Sequence, residues 1–244
     1  MRGIDVQFLG QAGYLIQTDG LRIAIDPYLS DSCGADARFA RLYPPPVTPE
    51  ALEVDVMIIT HDHQDHLDAE TLRAYRHTAT TRFVAPRLAA AALEKLGVPS
   101  GNISVVDHAG RLPLPGVDIT GVFALGTTPE TADTCGYLLT FPSGETIYTC
   151  SDTSWCDLLA ACAPKDITLL LVCINGHFGN LNIEQAMDLT RAVRPQIVVP
   201  NHYDVMALNS ANPETFRFLY ESAGLPGRCV ILAAGETLTI GGGV

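Results

Sequence analysis

The apolar run Val54-Asp55-Val56-Met57-Ile58-Ile59 leads directly into Thr60-His61-Asp62-His63-Gln64-Asp65-His66-Leu67-Asp68, and no other stretch limits the fold so closely. The run has the length of a buried strand and Leu67 onward reads as a helix, so three imidazoles and a carboxylate crowd one turn. Open α/β sheets hold their chemistry at such a strand's carboxyl end. His61 and His63, one residue apart, can lean toward a single cation in an extended turn. Asp65 and His66 aim a carboxylate and a third imidazole at a second position slightly further on. Nitrogen and oxygen donors of this kind suit zinc, manganese or iron rather than a soft thiolate site.

Around this turn the chain alternates between hairpins and βα units. Val6 to Leu9, Gly13 to Gln17 and Leu21 to Ile25 read as three strands, with Asp19-Gly20 as a tight turn between the last two. Cys33 to Pro49 is irregular, because Pro44-Pro45-Pro46 forbids helix. A long loop beside a site is a candidate lid, and Arg38, Arg41 and Tyr43 lie in it as candidate contacts for an anionic or hydroxylated substrate. After the histidine turn, helices are expected over 69–76 and 87–96 and strands over 82–85 and 102–107. Hairpin strands follow over 117–125, 136–141 and 145–150, and a helix over 155–163.

Ile167 to Ile174 and Gln196 to Pro200 read as buried strands. Asn182 with Gln185 forms a capping box that starts a helix reaching Val193, and Asn212-Pro213 opens the final helix. Two hairpin-then-βα halves imply two sheets packed face to face with helices outside, an α/β four-layer αβ/βα sandwich over 1–244 as one domain.

Two further strand ends carry donors. Asp152 falls just past the strand Glu145 to Cys150, where a carboxylate can bridge two cations. His202 falls just past Gln196 to Pro200 and can complete the second position. Asn175, His177, Asn180 and Tyr203 lie near strand ends on the same side and are candidate substrate contacts.

Charge and composition narrow the partners. A net charge of −12 and few basic clusters argue against nucleic acid and anionic membrane. The amino-terminal stretch lacks the apolar core of a signal peptide and no apolar run is long enough to span a bilayer, so a cytoplasmic location is expected, with a homo-oligomer allowed. The seven cysteines are odd in number and scattered, which suits reduced core residues.

Together, Ile25-Asp26-Pro27-Tyr28-Leu29-Ser30-Asp31-Ser32, the His61 to Asp68 turn, Ile174-Asn175-Gly176-His177-Phe178-Gly179-Asn180 and Pro200-Asn201-His202-Tyr203-Asp204 make the chain resemble the metallo-β-lactamase superfamily. Within it, the chain looks like the ascorbate-phosphate lactonase-like branch, which includes metal-dependent hydrolases of phosphorylated sugar lactones. The resemblance implies that His61 and His63 hold a first metal, that Asp65, His66 and His202 hold a second, and that Asp152 bridges. Leu125 stands where many relatives carry a third histidine for the first metal, and Ser151 replaces a common glycine. The first site is therefore short of a donor, and His108 is a conceivable substitute.

One or two divalent ions per chain, zinc or manganese with iron allowed, would lower the pKa of a water toward about 7 and supply hydroxide at neutral pH. Attack on a lactone or ester carbonyl of a small molecule follows, with Asp65 or Asp152 orienting the nucleophile. Asp26 and Asp62 are candidates to accept imidazole N–H bonds and fix tautomers. Two rivals stand beside this reading: a phosphodiesterase, which the acidity disfavours, and a non-catalytic metal- or ligand-binding protein, which Leu125 suggests.

Overall fold

The structure is a computed structural model that describes residues 3–128 and 131–242. Ile4–Gly10 (β1), Gly13–Gln17 (β2), Arg22–Ile25 (β3), Val56–Ile58 (β4), Arg82–Ala85 (β5) and Ile103–Val105 (β6) form the first sheet, with Thr237–Ile240 (β14) on its edge. Its order is β14-β1-β2-β3-β4-β5-β6. Arg111–Leu114 (β7), Val117–Phe123 (β8), Cys135–Thr140 (β9), Thr146–Thr149 (β10), Leu169–Cys173 (β11), Ile197–Asn201 (β12) and Arg228–Cys229 (β13) form the second, ordered β13-β12-β11-β10-β9-β8-β7. In each sheet the hairpin half is antiparallel, while β3 to β6 and β10 to β13 run parallel.

Period-two alternation decides which core each side chain joins. Phe8, Ile16, Ile23, Ile25 and Ile58 face the second sheet, where Ile119, Tyr137, Leu139 and Ile147 meet them. Their neighbours Leu9, Leu15, Ala24 and Met57 face outward into a second core with Phe83, Leu72 and Leu93. Helices Ala69–Ala74 (α1) and Arg87–Lys95 (α2) supply the last two. The outer face of the second sheet is covered by Asp157–Cys162 (α3), Ile183–Val193 (α4) and Pro213–Ser222 (α5). In α4 the buried Ala186, Met187, Leu189, Thr190 and Val193 recur at helical spacing. The four-layer αβ/βα sandwich expected from the sequence is therefore the observed architecture.

Several boundaries are tighter than expected. The helix expected over 155–163 is reduced to α3, with Trp155 outside it, and the strand expected over 102–107 to β6, preceded by a 3-10 turn over Ser100–Asn102. The edge strands β7, β13 and β14 lie outside the expected set. All seven cysteines are free, and Cys135, Cys150 and Cys173 are buried in the core. Among the described residues no helix is long and apolar enough to cross a membrane.

Candidate metal centre

Strand β4 stops at Ile58, and the turn that follows is pinned at both ends. At its start, Thr60 donates through N to Asp26 Oδ1 (2.8 Å) and through Oγ1 to Asp26 Oδ2 (2.6 Å). At its end, Asp68 caps α1 by accepting from Glu70 N, and its Oδ2 also accepts from Ser30 and Thr71. Between these anchors His61 and His66 are buried while His63 and Asp65 are half-buried.

From the second sheet, Asp152 follows β10 and His202 follows β12. His202 N donates to Gln11 O at 2.7 Å, which ties that strand end to the β1–β2 turn of the first sheet. The result is two groups of three. His61, His63 and Asp152 form one and Asp65, His66 and His202 the other, and in each the donor atoms lie within 4.8 Å of one another. The six side chains expected from the sequence come together, with Asp152, expected to bridge, grouped with His61 and His63.

Hydrogen bonding fixes which ring nitrogens face inward. The single hydroxyl proton of Thr60 goes to Asp26, so toward His61 Nδ1, 3.0 Å away, Oγ1 can only accept. His61 therefore carries its proton on Nδ1, and its buried Nε2 has no hydrogen-bond partner. Burial, reinforced by the neighbouring His66, holds the His61 pKa well below the ordinary range and keeps that lone pair free. Asp26 Oδ2 also lies 2.8 Å from His66 Nδ1, which makes that nitrogen the donor and turns Nε2 inward. His66 Nε2 is 3.3 Å from His202 Nε2, 3.5 Å from Asp152 Oδ2 and 3.9 Å from Asp65 Oδ2.

Charge in this space is unevenly shared. Burial alone would raise the Asp152 pKa, but the His202 and His66 rings beside it outweigh that and hold the carboxyl well below its usual range. Burial would lower His66, yet Asp152, Asp65 and Asp26 together push it well above. An unpartnered buried imidazole nitrogen, inward Nε2 atoms and ionised carboxylates fit a divalent metal.

The structure adds Gln11 and Asn209, which sequence reasoning passed over, and gives the expected Asn175 and Asn180 partners at the centre. Gln11 is fully buried at φ 57°; its amide nitrogen donates to Asp65 Oδ2 (2.8 Å) and lies 3.0 Å from His202 Nδ1. Asn180 donates to Asp152 Oδ2 at 2.5 Å. Asn175 donates to Asn209 Oδ1, and Asn209 Nδ2 reaches Asp65 Oδ2 at 3.5 Å, so Asn175 acts on the centre only through a second amide. Left-handed backbone recurs at Gln11, Asp26, Ser151, His202 and Asn209, strain that elements packed around the centre must hold.

Other expected contacts lie elsewhere. Arg41 donates through its Nη1 to Tyr28 O and through Nε to Tyr43 O, and it packs over both tyrosine rings. Arg41 and Tyr43 line a separate surface hollow with Leu29 and Pro44. Tyr203 is buried, stacks on Phe8 and donates to Leu232 O, which makes it a brace. His177 is half-buried beside Phe178. His108 bonds Thr134 O and packs on Phe123, outside both groups of donors. Asp62 is half-buried in the turn. Leu125 is 38% exposed and meets Asp152's loop through its backbone, its N–H donating to Thr153 Oγ1 and its carbonyl accepting from Ser154 N.

Over the donors opens a cavity of about 300 Å³. His63, Asp65 and Asp152 form its floor, and Phe39, Phe178 and Met206 contribute most of its apolar wall.

Residues 21–203 match the family described as the beta-lactamase superfamily domain. A UPF0173 metal-dependent hydrolase from Hyperthermus butylicus is 29% identical over 236 residues, covering 95% of this chain and 97% of the relative. The solved structure of a metallo hydrolase from Ignicoccus hospitalis superposes with a TM-score of 0.73 at 25% identity, over 98% of this chain and 99% of that one. An isothiocyanate hydrolase from Delia radicum gut bacteria shares the fold, with a TM-score of 0.77 at 20% identity, over 97% of this chain and 98% of that one. The match covers most of the chain and includes the His61 to Asp68 turn, Asp152 and His202, and the chain belongs to the metallo-β-lactamase superfamily.

Proposed function

We propose that the protein is a metal-dependent hydrolase that cleaves an ester or lactone bond in a small molecule. His61, His63 and Asp152 would hold one divalent cation, and Asp65, His66 and His202 a second. The buried, unpartnered Nε2 of His61 carries the reading, because leaving such an atom unsatisfied costs about 1–3 kcal/mol unless something binds it. The 29% identical relative that bears the name metal-dependent hydrolase supports it. Neither group contains a thiolate, which favours zinc, manganese or iron over softer metals.

Bound by these residues, a divalent cation would supply a water of lowered pKa and a Lewis acid for a carbonyl oxygen. The chain's own residues do the positioning. Asp152 lies between the two groups, 3.0 Å from His202 Nε2, and Asn180 keeps it from turning away. Asp65, fixed by Gln11, would help hold the cation and orient a water there. Asp26 holds the rings of His61, through Thr60, and of His66 in the tautomers that leave Nε2 free. Phe39 and Phe178 at the mouth restrict bulk water.

Leu125 offers no donor, so the first group is the weaker one. The test is metal content per chain by plasma mass spectrometry after growth with zinc, manganese and iron and purification without chelator, followed by a panel of esters and lactones. Two ions per chain with turnover is the expected result. One ion places the chemistry on Asp65, His66 and His202. No ion with any of the three metals overturns the reading and leaves a non-catalytic binding protein.

A further inference from the structure

We propose that the part of the substrate remote from the reacting bond is uncharged and apolar, and that Phe39 and Phe178 grip it. The inference rests on the hydrolase reading of the same cavity and adds the substrate class.

The cavity wall sets the chemistry. Above the donor floor stand Phe39, Phe178, Met206 and Cys33, and the polar groups among them, Gln64, Thr127, Asn180 and Asn209, are neutral. Among the described residues no lysine or arginine lines this space. A phosphate or carboxylate on the far end of a substrate would lose water there and find no cation, a cost that sites for such groups avoid with an arginine fork. Two guanidinium groups stand nearby without lining the cavity, and the exposed Arg38 lies over the outer ring of the pair, 5.9 Å from the Phe39 centroid. Arg38 is held by Asp36, with Nε 3.1 Å from each carboxylate oxygen, and Arg41 is held by the carbonyls of Tyr28 and Tyr43 at a different hollow.

Phe178 is the second, independent observation. It is 57% exposed and sits at φ 55°, left-handed backbone that a bulky side chain rarely adopts. Phe178 and Gly179, both left-handed, are the central residues of a turn closed by Asn180 N donating to His177 O, and Ser154 Oγ holds it by donating to Gly179 O. Core packing does not explain the exposure of the ring. The ring meets Phe39 of the 33–49 loop with centroids 5.9 Å apart and planes tilted by 40°. The two rings belong to loops distant in sequence and come together at the mouth, where a flat or branched apolar group would cover both. The cavity is at the lower end of the roughly 300–1,000 Å³ usual for ligand sites, which suits a small molecule.

The test uses the metal-loaded protein and esters that share a leaving group and differ only at the far end of the acyl chain: acetyl, 3-phenylpropanoyl, and chains of the same length ending in carboxylate or phosphate. The phenylpropanoyl ester is expected to exceed both anionic esters in kcat/KM by at least tenfold. Phe39→Ala and Phe178→Ala are each expected to shrink the phenylpropanoyl-to-acetyl ratio by roughly tenfold, about 1.4 kcal/mol. Anionic esters turned over as well as the phenyl ester, or a ratio unmoved in both variants, overturn the proposal. If no ester is cleaved, the hydrolase reading is what has failed, and binding decides the inference. Saturation-transfer NMR on the protein as purified should then show 3-phenylpropanamide bound, with the signal weakened in Phe178→Ala. No binding of the amide, or no loss in the variant, overturns it.

Discussion

At Gln11 one amide serves two donors of the same group, since its nitrogen lies 2.8 Å from Asp65 Oδ2 and 3.0 Å from His202 Nδ1. Groups that orient metal-binding side chains in this way typically contribute 10- to 100-fold in metal affinity. Gln11→Ala is therefore expected to weaken retention of the cation at Asp65, His66 and His202 by about tenfold or more, measured by competition with a fluorescent chelator. Alanine meets the same left-handed backbone, so the change reads the amide rather than the turn. Affinity within twofold of the parent would show that Gln11 only packs. This residue was not legible in the sequence, because its partners lie 54 and 191 positions away and nothing local marks it. The histidine turn was legible because four donors fall within six residues and follow an apolar run. Ser151 adopts φ 62°, a left-handed conformation that glycine takes more readily, and no local signal in the sequence marks it.

Among the elements, those with two buried faces or a clear cap could be read in advance. Strands β4, β11 and β12 are continuous apolar runs, and α4 begins with the capping box expected from Asn182 and Gln185. Asn182→Ala is expected to cost about 1 kcal/mol in urea unfolding and to leave metal content unchanged. A loss near zero would mean that packing of α4 already supplies its start. Edge strands were harder. Strand β7 contains Pro113, which a sheet tolerates at an edge but which hides the strand in a sequence, and β13 is only two residues long. The 33–49 loop does approach the cavity, but with Phe39 rather than Arg41 or Tyr43. A guanidinium can be satisfied by backbone carbonyls as well as by a substrate anion, and sequence does not distinguish the two.

For the molecule as a whole, the donors divide between the sheets. The His61 to His66 turn extends from the first, and Asp152 and His202 from the second, so a bound cation cross-links both halves of the sandwich. A ligand at 100 times its Kd adds about 2.7 kcal/mol to stability. Removing the metal with a chelator is then expected to lower the melting temperature by roughly 5–10 °C for a chain of this size, read by calorimetry. A shift below about 1 °C would mean that the sheets hold together without it. The sandwich itself was legible from the repeated hairpin-then-βα order, but its closure was not, since it depends on β14 pairing with β1 through Ile4 with Ile240 and Val6 with Leu238. That pairing has a consequence for the newly made chain. As the protein leaves the ribosome, β1 emerges well before β14, so until β14 follows one side of β1 presents unpaired amides and carbonyls. The nascent chain is most exposed to intermolecular strand exchange in that interval, and the apolar pattern of β1 makes it the segment on which aggregation would begin.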